Sequence, residues 1–272
     1  MQQALRFEDP TTPLRVVVLG SGSGGNAVVV ESNGRRLLVD AGFSCRELER
    51  RMRSVGVEPS SIAAIFLTHE HDDHVRGAGR FALKHRLPVW ATKGTIAGTE
   101  LPPDVIVRLE TLESGRPVEV AGFFVEAFQI PHDAREPVGF VVEDGAGRRV
   151  GLCADIGCRS QLAWSRLAAL DLLMLETNHD LDMLRTGPYP WHLKQRVASR
   201  HGHLSNLEAS EGLPELLADR LRTVVLYHLS RINNTAALAA ATVRDALDRA
   251  GSRAEIVVAD QFSPTPWLEV VS

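Results

Sequence analysis

Cysteine and net charge are what this sequence has least of. Its three cysteines, Cys45, Cys153 and Cys158, form an odd set with no CxxC pair. That excludes a disulfide framework and fits a reducing cytoplasm, with each cysteine read as a small buried thiol. No apolar run approaches the roughly 20 residues that a membrane-spanning helix needs, so no membrane partner is expected. The opening MQQALRFEDPTTP lacks a basic region followed by an apolar one, so it does not read as a signal peptide. Residues 1–13 read as a polar leader. A net charge of −4 and a pI near 6.2 give no global basic field. A local patch can still serve a nucleic acid where the total does not. No low-complexity segment or linker interrupts the chain, and its 44% hydrophobic and 24% charged content is that of a globular protein. Residues 14–272 are expected to form one domain.

What is present is a series of buried strands. LRVVVLG (14–20) reads as one, followed by a glycine turn, SGSGGN (21–26), and a hairpin, AVVVESNGRRLLVD (27–40), turning on Asn33-Gly34. An arginine-rich helix (44–56), a short strand IAAIFLT (62–68) and a helix over 75–86 follow. The second half repeats this order loosely. PVEVAGFFVEAFQI (117–130) reads as one or two strands, and 138–155 reads as a hairpin turning at DGAGR. DLLMLET (171–177) and TVVLYHLS (223–230) are strands that lead into helices, and AEIVVAD (254–260) closes the sheet system. Strands first, then strand–helix alternation, twice over: this predicts an α/β protein of two halves packed sheet to sheet with helices outside.

Three histidines and two aspartates crowd into residues 69–74 of LTHEHDDH (67–74). Alternate residues of an extended segment point the same way, so His69 and His71 can reach one metal. Asp73 and His74 sit where the chain turns into a helix and can reach a second. Histidine and carboxylate suit zinc, iron or manganese. Two metals need further ligands, and other strand ends offer His132 in FQIPHDA, Asp155 in GLCADIG and His228 in VVLYHLS. Each alone is more often a hydrogen-bonded edge residue. Together they make a three-plus-four ligand set with Asp155 as the bridge.

With the motifs HxHxDH at 69–74, His132, Asp155 and His228, and the buried aspartate of LLVDAG (Asp40), the chain resembles metallo-β-lactamase-fold hydrolases over nearly its whole length. A narrower resemblance is to the YycJ/WalJ-type subgroup. It rests on LGSGSGGNAVVVE, on TNHDLDMLRTGPYPWHLKQRVASRHGHLSN (177–206) and on LYHLSRINNT. The resemblance implies a four-layer αββα sandwich with two divalent metal ions, zinc or manganese with iron as a further candidate, at one edge of the sheets. It also implies a cytoplasmic hydrolase linked to phosphodiester cleavage, including exonuclease action on DNA. His71 stands where di-iron redox relatives carry a glutamate, which favours hydrolysis, although a single-iron sulfur dioxygenase would keep the same motif.

Two metals acidify a shared water, and Asp73 would orient the resulting nucleophile on a phosphodiester of DNA or RNA. A thioester or other small ester suits the same ligands, and a metal-loaded regulator without activity is the remaining alternative. No insertion is long enough for an extra nucleic-acid domain, so the domain's own loops, or the second subunit of a homodimer, must grip a polymer. The run containing Trp191, Lys194 and Arg196 supplies an aromatic beside cations. The other arginine cluster (Arg46, Arg50, Arg51, Arg53) reads as a solvated helix face. His203 is expected to be the general acid or a phosphate ligand, and His179, Ser205 and Asn206 fall in the stretch expected to meet substrate. Ser205 with Glu208 also has capping-box spacing.

Overall fold

Apolar periodicity sets the layers. In β1 (Leu14–Gly20), Val16 and Val18 point to one side and Val17 and Leu19 to the other, and all four are buried. A strand that is apolar on both faces has to be covered on both faces. The structure, a computed structural model, describes residues 12–106 and 108–270; of the expected leader, residues 1–11 lie outside them.

β1, β2 (Ala27–Ser32) and β3 (Arg35–Val39) form an antiparallel meander, and β4 (Ile62–Phe66), β5 (Val89–Thr92) and β6 (Leu109–Leu112) extend it in parallel. The second sheet repeats the plan. β7 (Val118–Val120), β8 (Phe123–Gln129), β9 (Val138–Asp144) and β10 (Arg149–Cys153) are antiparallel; β11 (Leu172–Glu176), β12 (Thr223–Tyr227) and β13 (Glu255–Val258) add in parallel. The last strand, β14 (Leu268–Val270), crosses back to pair with β1, so each sheet has seven strands. AEIVVAD was expected to close the sheets; it forms only the outer edge of the second, and the closing strand is the short LEV that follows.

Val28, Leu37 and Phe66 meet Val125, Phe140, Leu152 and Tyr227 between the sheets. Leu48, Met52 and Phe81 on the helices Cys45–Ser54 and Ala78–His85 cover the outside of the first sheet. Trp164 and Val243, on the helices Gln161–Arg166 and Ala236–Arg249, cover the second. The result is the expected α/β, four-layer αββα sandwich. The predicted hairpin turns on Asn33 and Gly34, both at positive φ (51° and 74°) as a type I′ turn requires. The helix read over 75–86 is broken into Asp72–Val75 and Ala78–His85. The arginine-rich helix is half structural: Arg50 pairs with Glu47 in solvent, whereas Arg51 is buried over the Phe43 ring and donates to the Leu19 and Gln261 carbonyls. All three cysteines are free, and no described helix is long and apolar enough to cross a membrane.

Parallel strands that run in the same direction deliver their following loops to one edge. Asp40, Asp155 and His228 follow β3, β10 and β12, and all three hold positive φ (58°, 52° and 57°). Such backbone costs about 1 kcal/mol or more per non-glycine residue and persists where the surroundings over-determine it. The loop after Asp40 then passes so close to the first turn of the helix Asp72–Val75 that a Cβ on Gly42 would lie 1.7 Å from the Asp73 carbonyl oxygen. Gly42→Ala is therefore expected to push Asp73 out of place, lowering both metal content and thermal midpoint; elemental analysis beside a melting curve checks this, and unchanged metal content would refute it.

Candidate metal centre

At the shared edge, second-layer hydrogen bonds decide which ring nitrogen each histidine offers. The Asp40 carboxylate accepts from Thr68 N (2.9 Å), from the Thr68 hydroxyl (3.0 Å) and from His74 Nδ1 (2.7 Å). The Thr68 oxygen in turn lies 3.0 Å from His69 Nδ1 and accepts its proton. His132 Nδ1 donates to the Gly202 carbonyl at 3.1 Å. His69, His74 and His132 are thereby left with Nε2 facing inward. Locking one nitrogen so that the other is presented is how metal-binding histidines are oriented.

The inward atoms gather in two clusters. His69, His71 and His132 bring their nitrogens within 4.8 Å of one another, with His132 Nε2 3.3 Å from His71 Nδ1. Asp73, His74 and His228 form the second, with Asp73 Oδ2 3.4 Å from His228 Nε2 and 3.8 Å from His74 Nε2. Asp155 stands between them: it groups with His69 and His74, and its Oδ2 lies 2.8 Å from His74 Nε2. All seven residues expected as ligands are thus brought to one place.

These residues fit a pair of divalent cations. His69 Nε2 and Asp155 Oδ2 are buried with no hydrogen-bond partner. The 2.8 Å approach of Asp155 Oδ2 to His74 Nε2 is close but is not a hydrogen bond when the His74 proton sits on Nδ1. Lone pairs that face each other in a dry site need positive charge between them. Without it, protons do the work. Burial opposes a charged ring, but Asp40 and Asp155 hold His74 well above the usual imidazole range, and Asp155 does the same for His228. Burial likewise opposes the Asp155 carboxylate, but His228 and His74 hold it well below its usual range. Burial, aided by the neighbouring rings, keeps His69 neutral, as a ligand nitrogen must be.

A further set, Asp155, Glu176, His203 and His228, is also close enough to hold a cation. It is better read as a hydrogen-bond network. Glu176 Oε1 accepts from His203 Nδ1 (2.8 Å) and His228 Nδ1 (3.1 Å), while its Oε2 accepts from the backbone of Ile156 at 2.7 Å. Burial disfavours a charged His203, but Glu176 and Asp155 raise it to about 9.

The clusters open into a cavity of about 300 Å³ that Ser23, Asp133, Leu193, Arg196, Val197 and His203 also line. A larger hollow of about 600 Å³ between Arg159, Trp164 and Glu215 gathers no ligand set and lies beside an outer helix, so the smaller cavity is the chemical one. Arg196 lines it with Nε 2.6 Å from Asp133 Oδ2, and Trp191, 71% exposed, begins the same short helix, Trp191–Val197. Lys194 turns elsewhere, donating to the Arg185 carbonyl at 2.8 Å.

Three residues expected to meet substrate lie outside the lining of this cavity. Ser205 is buried and completes the capping box with Glu208. Asn206 is buried against Asn234, each amide donating to the other at 2.9 Å. His179 is buried, its carbonyl accepting from Asn206 N at 2.8 Å. Beside them, Asn234 and Asn178 tie the loops after β11 and β12 together. Sequence reasoning missed Glu176 and Asn26. Glu176 is the lone acid ending an otherwise apolar strand, and that was the available signal. Asn26 reaches His74 Nε2 at 3.1 Å from inside a loop whose glycines drew the attention.

Residues 35–229 match the Beta-lactamase superfamily domain. The chain is 34% identical over 240 residues to the exodeoxyribonuclease YycJ of Bacillus anthracis, covering 88% of this chain and 90% of that protein. It is 33% identical over 239 residues to the exodeoxyribonuclease WalJ of Streptococcus pneumoniae serotype 2 (strain D39 / NCTC 7466), covering 86% and 88%. Among solved structures, the metallo-beta-lactamase fold protein YhfI of Bacillus subtilis superposes with a TM-score of 0.68 at 19% identity, over 93% of this chain and 99% of that one. Matched over most of its length in both sequence and fold, the chain belongs to the beta-lactamase superfamily.

Proposed function

We propose that this metal-dependent hydrolase is a dinuclear phosphodiesterase acting on DNA in the cytoplasm, with residues 14–272 working as one domain. The observation that carries the reading is the pair of three-residue ligand clusters joined by Asp155 at the floor of an open cavity. In support, the similar proteins YycJ and WalJ are named exodeoxyribonucleases. His69, His71 and His132 would hold one ion, Asp73, His74 and His228 the other, and Asp155 both. Zinc or manganese suits this nitrogen and oxygen set, with iron a further candidate. Such a pair supplies an acidified water and positive charge against the phosphoryl oxygens.

The protein's own groups do the rest. Asp73, at the cavity wall, orients the attacking water through its carboxylate. His203 is anchored at Nδ1 by Glu176, which leaves Nε2 for the cavity, where it donates a proton to the departing oxygen. Arg196 lies at the rim to meet a neighbouring phosphate, and the exposed Trp191 offers a face for a base.

Terminally labelled linear DNA, single- and double-stranded, incubated with metal-reconstituted protein tests this reading. Cleavage by the wild type and none by an Asp73→Ala preparation is the expected outcome, with the product ladder giving the polarity. Full metal occupancy without cleavage would remove the nuclease reading and point to small esters.

A further inference from the structure

A second hollow, about 200 Å³, is lined by residues that neighbour those of the metal cavity along the chain. Ser21 and Leu229 line it, whereas their near neighbours Ser23 and His228 line the metal cavity. The backbone of His228 donates to Ser21 Oγ at 2.8 Å, which ties the strand end that carries the metal ligand to the wall of this hollow. At its mouth stand Arg231 and Phe262, with the guanidinium 4.9 Å above the ring centre. Phe262 is 60% exposed. Its loop is fixed rather than loose, because Asp260 Oδ1 accepts from Phe262 N (2.7 Å) and Ser263 N (2.9 Å). That pairing also occupies an oxygen of the acid on the wall. Among the described residues, Arg231 has the Phe262 ring as its partner and no ion pair or hydrogen bond.

We propose that this hollow is a nucleotide subsite. It takes the base next to the cleaved bond, stacked on Phe262, while Arg231 meets that nucleotide's phosphate. The proposal rests on the phosphodiesterase reading and adds where the polymer goes: from Trp191 and Arg196 on one side of the metal cavity to Arg231 and Phe262 on the other. An exposed ring beside a cation that no carboxylate neutralises is the combination that single strands use, since every base has a face to stack and every nucleotide a phosphate. The loop Ser21–Gly25 between the hollows is not itself a phosphate cradle. Gly22 N, Gly24 N and Gly25 N are already taken by Asn26 Oδ1, Gln261 Oε1 and the Gly22 carbonyl.

The test measures kcat and KM of metal-loaded protein on labelled single strands, intact or with an abasic residue scanned across the cleaved bond. Phe262→Ala is expected to raise KM by roughly tenfold, the scale of one stacked base, with kcat little changed. At one position the abasic strand should cost the wild type the same factor and cost Phe262→Ala nothing more, and Phe262→Trp should restore the wild-type value. Arg231→Ala should flatten the slope of log KM against log salt by about 0.7, one single-strand phosphate contact. Losses from the variant and the abasic site that simply add would overturn the subsite, as would an unchanged salt slope. A Phe262→Ala protein that changes its subunit assembly but not its DNA parameters would overturn it in favour of a second copy on this face. Wild-type hydrolysis of bis(p-nitrophenyl) phosphate separates the two levels: its absence sinks the phosphodiesterase reading and the subsite together, and its presence leaves any failure to the subsite alone.

Discussion

Asp155→Ala is expected to reduce bound metal to about one ion per chain or less and to slow phosphodiester hydrolysis by about a thousandfold or more. The magnitude follows from position. Asp155 Oδ2 lies 2.8 Å from His74 Nε2, and Oδ1 lies 2.9 Å from His228 Nδ1 and 3.2 Å from His203 Nδ1. One carboxylate therefore serves both ligand clusters and the proposed acid. Positive charge at a phosphoryl centre is worth several kcal/mol, and every 1.36 kcal/mol is a factor of about ten. Asp155→Asn keeps the volume and should lose activity nearly as far, which separates charge from packing. Elemental analysis with turnover of bis(p-nitrophenyl) phosphate measures both effects; full metal content and full rate in either variant would show that Asp155 is not the shared ligand.

The ligands were legible in the sequence for a topological reason. In a parallel run of strands, the residue after each strand arrives at the same edge, so apolar runs ending in His69, Asp155 and His228 already imply convergence. The same logic was available for Glu176 at the end of β11, but a single acid after LLML carries no metal-ligand spacing to mark it out. Asn26 was hidden for a different reason. Its side chain acts across the fold on His74 and on the Asp73 carbonyl, and a glycine-rich loop gives no hint of that distance. Short strands escaped as well: β5, β6 and β14 have three or four residues each, too few for an alternation to show. Residues of the subgroup stretch 177–206 were read as substrate-facing from the resemblance and from an aromatic beside cations. The asparagines of this region instead face each other, Asn234 donating to the Thr177 carbonyl at 2.9 Å and Asn178 to the His228 carbonyl at 2.8 Å. Polarity alone does not distinguish a wet surface from a buried network whose hydrogen bonds are internal.

His203→Ala should separate the two halves of the reaction. For an oligonucleotide the departing oxygen is a sugar alkoxide, which leaves only with a proton, and loss of a positioned acid costs about 10²–10⁴ in kcat. For bis(p-nitrophenyl) phosphate the departing nitrophenolate is stable as an anion, so the same substitution should cost less than about tenfold. Glu176→Gln should follow the same pattern with smaller losses, because the amide keeps a group near His203 Nδ1 and His228 Nδ1 but cannot hold the His203 ring charged. A ligand or scaffold role would behave differently. If His203 mainly placed Asp155, both substrates would slow by the same factor and metal content would fall with them. If it were only packed against the helix Asn206–Gly212, neither rate would move and the melting temperature alone would respond. The ratio of the two losses, measured at full metal occupancy, is therefore the quantity that assigns the proton.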